Sequence, residues 1–162
     1  MTLETLVAIA TLVGVLGTLA SVIVAAYQLR SGLRYRRQKD TLDFYEQIQA
    51  DIRNAQRVLS NRYREECLSD EQVREIFADE EIKFKFHALL NVHERLALGV
   101  NSGIYDLAML NRLAGGLFLR AWEKYRPYID FYCDQMKRTT PWSEFRILAA
   151  SLRAFRENST GA

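Results

Sequence analysis

The feature that most constrains this chain is residues 6 to 27, LVAIATLVGVLGTLASVIVAAY, 22 consecutive residues without a charged side chain. About 20 apolar residues suffice to cross a hydrocarbon core of about 30 Å as an α-helix. A helix apolar on every side has to be buried in a large protein or in lipid, and the rest of this 162-residue chain is too small to surround it. A cleaved secretory signal would place positive charge ahead of a shorter apolar stretch, whereas the charge that precedes this run is Glu4. The run therefore reads as a transmembrane helix, residues 1–29 with its flanks.

Orientation follows from what comes next. Arg30, Arg34, Arg36, Arg37 and Lys39 form a basic juxtamembrane segment at 30–40, and Lys and Arg close to a span end mark its cytoplasmic side. The expected setting is a bacterial inner membrane, with the N-terminus outside and the C-terminal domain in the cytoplasm. The cluster also suits anionic lipid, at about 1 kcal/mol per basic residue near the surface. Without these five and Glu4, the formal net charge of +2 becomes 17 basic against 19 acidic residues over 40–162, a net of −2. By bulk charge the body is not a nucleic-acid binder.

The remaining residues suffice for one helical domain, expected at 41–157 and followed by a flexible tail at 158–162. Leu42, Tyr45, Ile48, Ile52, Ala55 and Leu59 recur every three or four residues, one buried face of a helix that continues the span with a soft point at Ser31-Gly32. Ser69 with Gln72 forms a capping box for a short helix ending near Asp79. Ile82, Phe86, Leu89, Leu90, Leu96, Ala97 and Val100 predict a helix over 80–101, closed by Asn101-Ser102-Gly103. Asp106 is placed to cap the next, whose Gly115-Gly116 pair suggests close approach of another helix or a bend. Pro127 is expected to break or restart that helix, and Pro141 to open the last, with the stripe Trp142, Phe145, Leu148, Ala149, Leu152 and Phe155. No stretch alternates as a half-buried strand would. The fold class is all-α: one N-terminal transmembrane helix, then a compact cytoplasmic bundle of about five helices.

Within the span, Glu4, Val7, Thr11, Gly14, Thr18, Ser21, Ala25 and Gln28 recur at alternating spacings of three and four. Small and hydroxyl residues let helices approach and hydrogen-bond in lipid, so this stripe predicts a homo-oligomer contact. A water-lined pathway through a ring of helices is the sharper form of the same reading. Cys67 and Cys133 have no metal-ligand or redox spacing and read as packing residues.

His93 falls on the apolar face of its helix and is expected to be a satisfied core histidine, with Glu94, Asp106 and Arg112 supplying a buried polar network. His93-Glu94 begins a zinc-protease pattern, but Ala97 stands where its second histidine belongs. Arg146, Arg153 and Arg156 lie off the apolar stripe of the last helix, where they could touch phosphate or RNA, although a solvated face explains them as well. There is no phosphate loop, no GxSxG and no histidine pair at ligand spacing. Helical ribonucleases of the higher-eukaryote-and-prokaryote nucleotide-binding superfold place an Arg four to six residues before a His, a spacing that neither His87 nor His93 has. No catalytic residue, metal or cofactor is expected.

The segment LLNVHERLALGVNSGIYDLAMLNRLAGG, Leu89 to Gly116, together with Arg126-Pro127-Tyr128 and Pro141-Trp142, resembles a bacterial family of small single-span membrane proteins catalogued as a domain of unknown function, number 4760. In layout the chain is also similar to the pore-forming CRISPR-associated membrane protein of type VI-B systems, from which it departs in lacking the Arg and His spacing. Two functions follow as expectations. One is an oligomeric membrane effector that forms or gates a pathway, in antiviral defence by the second resemblance. The other is a membrane-tethered module that recruits a protein or RNA. The expected partners are membrane lipid, further copies of the chain and a protein or RNA trigger, with no small-molecule substrate.

Overall fold

The computed structural model describes residues 3–138 and 140–160; the side chains at 3–13, 55–56, 58–61 and 159–160 lie outside that description. It contains α1 (Leu3–Arg62), α2 (Asp70–Ala78), α3 (Glu80–Asn101), α4 (Leu107–Met136) and α5 (Ser143–Thr160). Among the described residues there is no strand. The chain divides into two units, Met1–Arg37 and Gln38–Ala162, so the bundle consists of α2 to α5 with the part of α1 that starts at Gln38. Ser31-Gly32 does not interrupt α1, and Ser31 Oγ donates to Gln28 O at 3.0 Å.

Among the described residues no helix is long and apolar enough to cross a membrane. The run read as a span begins at Leu6, and its first eight side chains, up to Val13, lie outside the described residues. The expectation of a transmembrane segment therefore rests on the sequence run alone.

Helix boundaries follow local capping chemistry. Ser69 Oγ accepts from Gln72 N at 3.3 Å while Gln72 Oε1 accepts from Ser69 N at 3.0 Å, the reciprocal box that starts α2. Asp79 ends α2 and starts α3, its carboxylate accepting from the amides of Glu81 and Ile82. Gly103, at φ +73°, makes the turn after α3. Asp106 then caps α4 by accepting from Met109 N at 2.7 Å.

The break expected at Pro127 does not occur, because α4 runs through it to Met136. Proline removes the amide that would have bonded to the carbonyl four residues earlier, here that of Glu123. The turn before α2 supplies the replacement: Cys67 Sγ donates to Glu123 O at 3.5 Å, and Leu68 N to the adjacent Lys124 O at 3.2 Å. Lys124 Nζ returns a bond to Tyr63 O at 2.6 Å. Cys67 is thus an exposed residue whose thiol is oriented by a carbonyl, not a packing residue; Cys133 is half-buried against the core.

α3 packs most extensively on α5, and α4 packs on the same helix. Their shared core is aromatic, with Phe86 against Tyr128 at 4.7 Å and Trp122 against Phe145 at 5.4 Å between ring centroids. Phe145, Leu148, Ala149 and Leu152 are buried as the α5 stripe requires, Trp142 is buried just before the helix begins, and Phe155 is half-buried. The backbone stays helical to Thr160, beyond the expected start of the tail at 158.

Candidate functional site

Of the stripe on α1, Glu4, Val7 and Thr11 lie outside the described side chains; Gly14, Thr18, Ser21, Ala25 and Gln28 are exposed in the single chain. Gly14, Thr18 and Val22 line a shallow groove together with Val15 and Leu19. An added Cβ at Gly14 would meet nothing within 4 Å, so the notch is open to a partner. Thr18 Oγ1 donates to Gly14 O at 2.9 Å and Ser21 Oγ to Gly17 O at 2.8 Å. Each hydroxyl is therefore satisfied by the turn beneath it, as a Ser or Thr inside a helix commonly is. Arg30, Arg34, Arg36, Arg37 and Lys39 are all exposed on the same helix.

His93 is 2% exposed. Its Nδ1–H donates to Leu89 O at 2.8 Å. Its ring lies 4.9 Å from that of Phe145 and 5.2 Å from that of Phe118. Burial lowers its pKa to about 4, against the smaller opposing effect of the Leu89 bond, so the imidazole is neutral at pH 7.

Among the described residues, Glu94, Asp106 and Arg112 are not found hydrogen-bonded to His93. Glu94 faces α5, where its two carboxylate oxygens accept from Glu144 N at 3.1 Å and Phe145 N at 2.8 Å. It satisfies the first amides of that helix from outside, and burial raises its pKa. Asp106 is occupied with the α4 cap, and Arg112 is exposed. A residue adjacent to His93 lies about 100° around the helix, which is why Glu94 serves another neighbour.

Arg146, Arg153 and Arg156 also have partners within the bundle. Arg146 reaches Asp130 at 3.0 Å, Arg153 pairs with Glu123, and Arg156 Nε donates to Asn111 Oδ1 at 2.7 Å. The Gly115-Gly116 pair makes room for Asn111 and Arg156: a Cβ on Gly115 would stand 3.0 Å from Arg156 Nη2 and closer still to Asn111 Oδ1.

A family model described as a domain of unknown function, DUF4760, matches residues 15–152. The chain belongs to this family. No curated protein and no solved structure matches the chain. The region shared with the DUF4760 family takes in the basic cluster, His93 and most of α5.

Three further polar positions in this DUF4760 chain escape a reading by periodicity. Thr41 is wholly buried, and its Oγ1 accepts from Asp106 N at 2.8 Å. Asn91 Oδ1 accepts from Trp142 Nε1 at 3.0 Å. His87 Nε2 lies 2.8 Å from Tyr128 Oη, with its pKa lowered first by burial and then by Lys83. Thr41 and Asn91 could have been noticed as polar residues inside apolar stripes. The pairing of His87 depends on α4 and has no local signal.

Proposed function

We propose that this protein is a single-span membrane protein, anchored by residues 6 to 27 and self-associating through the Gly14, Thr18 and Ser21 face. Its helical domain would act at the cytoplasmic surface as a non-catalytic interaction module. The observation that carries the reading is the uncharged 22-residue run followed at once by Arg30, Arg34, Arg36, Arg37 and Lys39. The groove at Gly14 supports close helix approach in lipid. Because Thr18 and Ser21 donate to carbonyls of their own helix, the stripe needs no water to satisfy those donors. That favours a helix-packing surface. A protein partner suits the domain better than RNA, since Arg146, Arg153 and Arg156 are engaged by Asp130, Glu123 and Asn111.

A pathway-forming effector is the second reading. Its support is that both threonines and the serine of the run, Thr11, Thr18 and Ser21, share one stripe; a back-bonded hydroxyl still has lone pairs for water.

The test is crosslinking and sizing of the full chain in detergent. Gly14→Leu and Thr18→Leu should disrupt the oligomer and Leu16→Ala should leave it intact; equal behaviour of the three removes the stripe as the contact. A chimera with an unrelated Leu-rich span that keeps full biological activity excludes the pathway reading. Dye leakage from liposomes with the native span, lost in the chimera, would favour it.

A further inference from the structure

Between α1, α3 and α4, within the unit Gln38–Ala162, lies a cavity of about 220 Å³. Tyr45 and Ile52 of α1 and Phe118 of α4 contribute apolar wall, and His93 of α3 lines it. Gln49 is half-buried, while Arg53 and Leu117 are exposed and mark the solvent side.

The orientation of His93 makes this more than a packing defect. The carbonyl of Leu89 can only accept, so the 2.8 Å bond assigns the ring proton to Nδ1 and leaves Nε2 as a bare acceptor. Nε2 has no hydrogen-bond partner among the described residues. It is also not sealed in protein, because the fully enclosed side-chain atom without a partner there is Tyr63 Oη. A nearly buried imidazole thus carries an unpartnered lone pair at a cavity that His93 lines. A buried polar group normally has a partner.

We propose that this cavity binds a small neutral aromatic molecule of the phenol class, its hydroxyl donating to His93 Nε2 and its ring lying among Tyr45, Ile52 and Phe118. Size supports one ring, since a dry apolar cavity of about 150 Å³ accepts benzene and this one is larger. Chemistry supports a donor, because among the described lining residues His93 offers an enclosed acceptor, whereas the cation, Arg53, is exposed at the solvent side. Aromatic walls favour edge and offset contacts with a ring. The neutral state of the imidazole at pH 7 keeps the acceptor available. This site is independent of the membrane reading and adds a small-molecule ligand where none was expected.

The experiment titrates the full chain in detergent, labelled with ¹⁵N-histidine, with phenol and with toluene at known free concentrations. Phenol should shift the His93 Nε2 resonance saturably and bind roughly three- to tenfold more tightly than toluene, the margin of one neutral hydrogen bond. His93→Phe should abolish that preference. A His93 resonance that phenol does not move, meaning a cavity holding water only, overturns the proposal. So does equal binding of phenol and toluene. Both comparisons use the unaltered chain and stand even if His93→Phe does not fold.

Discussion

Thr41→Val removes the hydrogen bond by which α1 meets the turn between α3 and α4. Thr41 is 0% exposed, and its Oγ1 accepts from the Asp106 amide at 2.8 Å, at the residue that caps α4. Valine keeps the shape and removes the acceptor, leaving a partly buried N–H without a partner. Stranding such a donor costs about 1–3 kcal/mol. At about 2–4 °C per kcal/mol for a chain of this length, Tm should fall by roughly 2–12 °C. Thr41→Ser is the control, since it retains the acceptor and loses only a methyl group, worth about 1 kcal/mol. Thermal melting followed by circular dichroism measures the cost, and hydrogen exchange of the Asp106 amide locates it. Exchange should accelerate in Thr41→Val and remain slow in Thr41→Ser. A Thr41→Val protein with parental Tm and a protected Asp106 amide would refute the reasoning.

Two further outcomes follow from the same packing. The pKa of His93 is lowered to about 4 from an ordinary 6.5, so between those values the unfolded chain binds the proton that the folded chain refuses. Stability should fall by about 3 kcal/mol as pH drops from 6.5 to 4 and then level off for this group; His93→Phe should flatten most of that slope in pH-dependent denaturant melts, with a remainder from His87, which is shifted the same way. Gly99→Ala places a Cβ against the ring of Tyr105, which stacks on Phe44 of α1 at 5.0 Å; a loss of about 1–3 kcal/mol is expected, with loosening of α1 near Phe44 seen by hydrogen exchange, and unchanged stability would show that the ring moves freely.

What was legible in the sequence was local. The Ser69 and Gln72 box, the Asp106 cap and the limits of α3 depend on residues within four positions of one another, and all are found where the pattern put them. Pro127 shows where local reading stops. Read locally, its missing amide predicts a break in α4; the helix continues because the group that compensates, Cys67, lies 56 residues from Glu123. Glu94 shows the same at a site: its neighbour His93 suggested a shared network, whereas its partners are amides 50 and 51 residues away at the start of α5. The burial of His93 followed from helical periodicity. Its open Nε2 did not, because the cavity is assembled from residues of α1, α3 and α4 that are far apart in sequence.

The central claim is that residues 6 to 27 cross a membrane with the helical domain on the basic side, and paired topology reporters test it most directly. One reporter, active only outside the cytoplasm, and a second, active only inside, are fused in turn before Met1 and after Ala162. The expected result is an external N-terminus and a cytoplasmic C-terminus, with the protein retained in the membrane after alkaline extraction, because Arg30, Arg34, Arg36, Arg37 and Lys39 follow the run. Cytoplasmic signal from both ends, with the protein released by alkaline extraction, would contradict it.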